Sequence, residues 1–336
     1  MAFQAGNFTA SQLGAAILRA DAMWADSMLK ADFQSNTEIV TALRSEQNAK
    51  VDILQDKEKD RDVKIHWMQV CGQAVEDDDG DTCTIGGDEA GTDSKTYGLS
   101  IKKKWGFTVK EDTFRTNEYN MEDAVARLFL EGDKLLSEAI ARSAVAKLDS
   151  FKGVNQAASG IGVVNGHETE IASADWGSRL FAYLYKVGIL NNFGNSFLLS
   201  GDNLFEERIV TMANQANSNG SGDAKLYNLI RTYFDLFNID TVLSPAQKTF
   251  LVNRGAVAFA SKNKYGAVPV QYKEQDRYSI ASRNIPGVRF DIYYTNECTE
   301  DDMAHHFTMR VWYDWFLNPL GCNADKTGVL SFKRVA

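Results

Sequence analysis

Proline is scarce in this chain and cysteine is scattered. Four prolines leave no rigid Pro-rich linker between modules. The four cysteines, Cys71, Cys83, Cys298 and Cys322, fall at no metal-ligand spacing, so reduced thiols in a cytoplasmic compartment are the expectation. No run approaches the ~18 apolar residues of a membrane span, which predicts no membrane partner. The stretch Met1–Asn7 has neither the basic leader nor the apolar core of a secretory signal. Positive charge is also in deficit. With 36 Lys and Arg against 45 Asp and Glu, the formal charge is −9, which argues against tight binding to a nucleic-acid backbone. It leaves room for a shell that encloses nucleic acid, because an acidic wall would keep phosphates mobile.

Catalytic signatures are missing as well. The stretch Gly321–Thr327 looks like a phosphate loop, but Asp325 stands where glycine must precede Lys326, and its carboxylate would repel phosphate. Gly160, Gly162 and Gly166 are one residue off the dinucleotide fingerprint and follow a helical stretch, so a loop is the reading. Asp77, Asp78, Asp79 and Asp81 do not fit the alternating ligand pattern of a calcium loop around Gly80. His305 and His306 are neighbours in an alternating stretch, so their side chains should point to opposite faces and not share a metal. The expectation is no enzyme, no cofactor and no metal.

What is present is organisation. Residues 11–62 read as helical. Ser11 is placed to cap a first segment with Leu13, Ile17, Ala20, Trp24 and Met28 at helical period. A second segment from Thr37 carries Ile39, Val40, Leu43, Ile53 and Leu54, then gives way to the alternating charges of 56–62. Val63, Ile65 and Trp67 alternate as a strand. An acidic, Gly-rich tip at 76–91 follows, and Leu99–Lys110 reads as the hairpin's return arm. An arm of roughly 25 residues would reach about 80 Å if fully extended. An isolated ribbon is marginal in water, so a neighbouring copy of the chain is expected to cover it, burying Trp105 and Phe107.

Asn120 caps a helix predicted to run to about Ser150, with Glu122 and Asp123 in its first turn. Met121, Val125, Leu128, Leu135, Leu136, Ala139 and Ile140 form its apolar stripe. At about 45 Å it is long for a compact domain and reads as a strut. The run 179–186 is amphipathic. From Phe197 a βα rhythm predicts a strand at 197–200, helices from Leu204 and over 224–236, a strand at 239–243 and a helix opened by Ser244 and Pro245. The stretches 289–294, 305–315 and 327–332 read as strands.

This order of parts resembles the major capsid proteins of tailed bacteriophages, the Hong Kong 97-type fold. The peptides that carry the likeness are Lys103–Val109 entering the long helix, Ile239–Ala246 and Lys326–Leu330. The resemblance implies an α+β chain with an N-terminal helical arm (1–62), an extended hairpin loop (63–118) and a peripheral domain with a spine helix (119–196). An inserted α/β axial domain (197–300) and return strands of the peripheral domain (301–336) follow. It implies a structural subunit that self-assembles into hexamers and pentamers around double-stranded DNA. The chain would assemble in the host cytoplasm and reside in the virion, with separate scaffolding and portal proteins. Lys102, Lys103, Lys104, Trp105 and Phe107 become inter-subunit contact candidates. In some members a Lys–Asn isopeptide bond joins neighbours, and Asn318 lies in the matching terminal region. The helical N-terminal segment is more substantial than a simple extended arm. The alternatives are a nanocompartment shell of the encapsulin kind, another virion component such as a tail or portal protein, and a soluble α/β enzyme with its site in 197–294.

Overall fold

The computed structural model describes residues 10–47, 49–53, 62–69, 91–115, 120–154, 160–176, 178–201, 235–239, 248–272, 275–299, 302–318 and 327–336. Helices α1 (Ala10–Ala25), α2 (Ser27–Phe33) and α3 (Glu38–Ser45) lead into strands β1 (Lys50–Ile53), β2 (Asp62–Gln69), β3 (Gly91–Gly98) and β4 (Ile101–Lys110). The short α4 (Asp112–Arg115) precedes α5 (Met121–Phe151). Then come β5 (Gly162–Asn165), β6 (Glu168–Ala172), α6 (Ser178–Leu190), β7 (Ser196–Ser200), β8 (Asp235–Asn238) and β9 (Lys248–Asn253). The chain ends with β10 (Val257–Lys262), β11 (Val270–Tyr272), β12 (Gln275–Ala281), β13 (Arg289–Thr299), β14 (Asp302–Leu317) and β15 (Val329–Val335).

The long helix is present as expected. Asn120 Oδ1 accepts from the Glu122 amide at 3.3 Å, and the helix runs for 31 residues without a proline. Its buried stripe is Val125, Phe129, Leu136, Ile140, Ala144 and Leu148. Leu135, assigned to the stripe from periodicity, lies on the exposed side. Two partners compete for this helix, the β4–β14 sheet on one flank and α1–α2 on another, and together they rotate the buried face.

Strands sort into three sheets. One six-stranded sheet has the order β10-β14-β13-β12-β11, with β4 pairing to β14 along 101–110 against 304–313. A second has the order β5-β6-β15-β9-β7-β8 and mixes parallel with antiparallel pairs. A third, β1-β2-β3, is three-stranded and antiparallel.

Several expectations change here. The return arm of the ribbon is β3, not the whole of Leu99–Lys110, because β4 leaves the ribbon and joins β14. The ribbon's base does not wait for a neighbour. Val63, Ile65, Trp67 and Leu99 are buried in one cluster with Ala258, Ala260 and Phe316 of the first sheet. Ile53 belongs to β1 rather than to a helix, since α3 stops at Ser45. The first helix starts at Ala10, ahead of the expected Ser11 cap. The expected 224–236 helix does not include its last two residues. Asp235–Asn238 is a strand paired in parallel with β7, and the strand expected at 239–243 lies, apart from Ile239, outside the described residues. Gly162 opens β5, which pairs with β6 in a hairpin turned at Gly166 (φ 61°), not an irregular loop. The expected helices from Leu204 and Ser244, and the acidic tip at 76–90, fall outside the described residues.

The expected boundary at residue 300 also cuts through a sheet. β12 and β13 pair with β14, and β15 pairs with β6 and β9, so both six-stranded sheets draw on segments from both sides of it. Long antiparallel pairing between β13 and β14 makes that division impossible, because one hairpin supplies both strands.

Candidate assembly surface

β4 alternates because one of its faces meets the long helix and the other meets solvent. Trp105 and Phe107 are half-buried and Val109 is buried, all packed toward α5. Phe107 stacks on Phe307 with centroids 4.9 Å apart and meets Phe129 edge-on at 5.6 Å, while Trp105 lies 5.2 Å from Phe107. Such pairs add roughly 0.5–1.5 kcal/mol beyond area burial. Gly132 permits this approach. A Cβ built there would lie 2.7 Å from Trp105 Cε3, and closer still to the Met309 sulfur. The expectation that the chain's own domain leaves Trp105 and Phe107 uncovered is therefore overturned, because the spine helix takes that face. Lys102, Lys103 and Lys104 are exposed.

The face of this sheet turned away from α5 gathers side chains from four strands. Direct pairing puts Lys102 beside Trp312 and Lys104 beside Arg310. It also puts Arg310 beside Asp291, and Arg277 beside Tyr293. The Arg310 guanidinium lies over the Tyr293 ring at 4.4 Å, and Arg277 lies over the same ring at 5.5 Å. Asp291 is buried and accepts from the Lys264 and Tyr265 amides at 2.8 and 3.2 Å. Burial pushes its carboxyl up to about 6, against those two hydrogen bonds.

Where the ribbon meets this sheet, Asp314 pins the junction. It accepts from the amide and hydroxyl of Ser100, and Lys147 of α5 reaches it at 2.9 Å. Burial alone would raise the Asp314 carboxyl, but the hydrogen bonds of Ser100 and Lys147 outweigh it and hold the group below its ordinary value.

The N-terminal helices are fastened to the spine by polar contacts on the 282–287 loop. Asp133 of α5 has no exposed surface and accepts from Ser137 Oγ, Ser282 Oγ and the Arg283 amide at 3.1, 2.6 and 2.6 Å. Burial raises its carboxyl above the ordinary value even so. The Arg283 guanidinium bonds Asp21 of α1 at 2.7 Å, the Asn284 carbonyl oxygen of the side chain accepts from the Ser35 amide at 2.9 Å, and Arg44 donates to the Pro286 carbonyl. Arg19 and Asp123 add a 2.6 Å ion pair between α1 and α5. The helical N-terminal segment thus packs on its own spine.

The second sheet is tied to the end of α5 by four charges. Lys248 of β9 lies 2.6 Å from Asp149 and 2.7 Å from Glu168, and Lys152 lies 3.3 and 3.1 Å from the same two groups. Burial works against both carboxylates, yet the hydrogen bonds and charges of the lysines hold Asp149 and Glu168 below their ordinary values.

His305 and His306 do point to opposite faces. The buried His305 bonds Tyr294 Oη at 2.8 Å and Glu111 Oε1 at 3.1 Å, whereas His306 meets Thr108 Oγ1 at 2.8 Å on the outer face. Among the described residues no group of three His, Cys, Asp or Glu side chains is placed to hold a metal. The Asn318 amide donates to the Gly255 carbonyl at 3.2 Å within the chain. Sequence reasoning missed Arg310, Tyr293 and Arg277. The alternation of 305–315 put Arg310 on one face with His306, Thr308 and Trp312, but only the pairing of β14 with β4 brings that face to the lysines.

No family model and no curated protein matches this chain. Solved structures do. A chain described as cyanophage A-1(L) capsid asymmetric unit matches with a TM-score of 0.53 at 12% identity, over 89% of this chain and 92% of that one. Chains from Mycobacterium phage Adephagia (TM-score 0.46, 13% identity, 90% and 91% covered) and Mycobacterium phage Che8 (0.45, 12%, 82% and 88%) are also similar. The fold of this chain is thus the Hong Kong 97-type capsid fold, shared with the cyanophage A-1(L) capsid chain along nearly its whole length.

Proposed function

We propose that this chain is a structural subunit of a bacteriophage head, and that copies of it close into rings of six and five around double-stranded DNA. The observation that carries this reading is the shared fold, end to end, with a chain of the cyanophage A-1(L) capsid. The mechanism is geometric. A rigid body built on α5 presents an extended ribbon, and head-to-tail contacts repeated by identical copies generate rings when the rotation closes. Weak contacts suffice because many copies act together. The exposed Lys102, Lys103 and Lys104 remain inter-subunit contacts in this proposal, and Trp105 and Phe107 stiffen the strand that carries them. Non-covalent packing is the default over a Lys–Asn cross-link. Separate scaffolding and portal proteins complete assembly in the host cytoplasm, the DNA is enclosed without sequence-specific contacts, and the mature subunit resides in the virion.

Deleting Glu76–Ala90 tests the reading. The expected product is a folded subunit, because the ribbon's base packs on its own sheet, with particle yield reduced at least about tenfold. Normal yield from the deletion would overturn the loop's role.

A further inference from the structure

β10 and β11 stand at opposite ends of the first sheet's strand order, and residues 263–269 carry the chain from one to the other. The Asn263 side-chain amide turns the chain by donating to the Tyr265 carbonyl at 2.7 Å, and Pro269 ends the crossing without an amide to offer. The anchor of this crossing is one side chain. Asp291, 1% exposed on β13, accepts from the Lys264 and Tyr265 amides at 2.8 and 3.2 Å. Around that anchor the Ser279 amide of β12 donates to the Gly266 carbonyl at 2.8 Å and Arg277 donates to the Tyr265 hydroxyl at 3.0 Å. The Tyr265 ring meets Tyr293 edge-on at 5.7 Å. Past the anchor, Val268 and Val270 are exposed.

The anchor has no counter-ion. Arg289, two residues along β13, spends its guanidinium on the Ser279 hydroxyl and carbonyl at 2.9 and 2.8 Å. Arg310, the direct neighbour on β14, lies over the Tyr293 ring, and Arg277 of β12 bonds Tyr265 and Gln275. Lys264 gives Asp291 its backbone amide, and no ion pair joins Asp291 to a described Lys or Arg. Tyr293 is the nearest phenol on the same strand, and burial raises it above its ordinary value, so it stays neutral. Two amides satisfy lone pairs but leave the charge uncompensated. A buried carboxylate without a paired cation is costly, and contact with water relieves that cost.

We propose that residues 263–269 form a strap latched by the Asp291 carboxylate, and that ionisation of the latch loosens the strap. Closed and protonated, the latch accepts through its carbonyl oxygen and buries no charge. Closed and ionised, it keeps both amides but holds a buried charge that opening would hydrate. Burial outweighs the two amides and the nearby charges of Lys264 and Arg289, and places the closed carboxyl at about 6. Raising the pH through that value therefore shifts the strap toward its open form, and lowering the pH closes it. Opening frees the Ser279 amide on β12 and lifts Tyr265 off Tyr293. A carboxylate that merely caps a turn predicts the opposite sign, because an ionised acceptor holds amides more tightly. The device acts within one subunit and holds whether or not copies assemble.

Native-state hydrogen exchange on the full chain reads the latch directly. Exchange of the Lys264, Tyr265 and Ser279 amides is followed between pH 5 and pH 7.5 and divided by the intrinsic rate at each pH. A carboxyl at about 6 when closed and 3.8 in water predicts an opening constant that rises about tenfold across this range. The three amides should rise together, whereas the Asn253 amide, held by the Gly328 carbonyl in the second sheet, should stay level. Asp291→Asn keeps an acceptor without a charge and should flatten the response while leaving the Lys264 amide protected. Where that variant fails to fold, the wild-type profile decides alone. Corrected protection that is constant in wild type, or that improves as pH rises, overturns the proposal. So does a tenfold response that survives in Asp291→Asn, or one that the Asn253 amide shares.

Discussion

The two faces of β4 differ by one residue of offset and live under different rules. Trp105, Phe107 and Val109 are claimed by the chain's own spine helix, where Gly132 lets the aromatic rings approach. Lys102, Lys104 and Lys110 stand in solvent, with Lys104 directly beside Arg310. The first face stabilises the subunit, and the second is left to solvent. A strand that read as one interaction arm is thus half core and half surface, a division that period-2 alternation always makes available.

Substitutions that cross this division should separate the two roles. The largest effect belongs to Gly132→Leu, which places a side chain where Trp105 and Met309 already are. Overpacking of this kind costs 1–3 kcal/mol or more, and α5 should separate from β4, read as a loss of soluble protein or a steep fall in chemical-denaturation midpoint. Phe107→Ala should cost about 2–3 kcal/mol, at the low end for a large aromatic because the ring is only half-buried. Lys104→Ala on the opposite face should stay within about 0.5 kcal/mol while impairing assembly. If Phe107→Ala were as mild as Lys104→Ala, the distinction between the faces would collapse.

Acid sharpens the comparison because it acts on the buried and the ion-paired carboxylates with opposite sign. Asp291 has its folded carboxyl raised to about 6 from an ordinary 3.8, so its ionised form costs stability at neutral pH. That cost is relieved as pH falls from above 6 toward 4. Asp149, Glu168 and Asp314 are held below their ordinary values. The stability they contribute is present above those values and is lost as pH falls through the lower folded ones. Thermal midpoints should therefore rise modestly between pH 7 and pH 5 and fall steeply below about pH 4. Asp291→Asn should reduce the rise, leaving the share of the raised Asp133 carboxyl, and keep the fall. The smallest effect is Glu138→Ala, which breaks an exposed i,i+4 pair with Arg142 at 3.4 Å and should change stability by under about 0.5 kcal/mol.

Local signals were legible in the sequence. Asn120 and the acidic first turn announced the spine helix, and the alternation of Val63, Ile65 and Trp67 announced β2. The opposed faces of His305 and His306 followed from adjacency alone. What the sequence could not show was partnership. Leu99–Lys110 has strand composition whether it pairs with a ribbon or with β14, and only long-range register decides. The same holds for Asp235–Asn238, where parallel pairing with β7 overrides local helical character. The cationic face was hidden for that reason too, since its members lie about 200 residues apart and meet only through the register of β4 against β14.

The central claim, that this chain is a shell subunit, is met most directly by expressing it alone, measuring particle mass by light scattering and imaging the product in negative stain. The account predicts closed shells or rings of five and six. A monodisperse monomer that persists at high concentration and low salt, and also when the phage's own scaffolding protein is supplied, would contradict it.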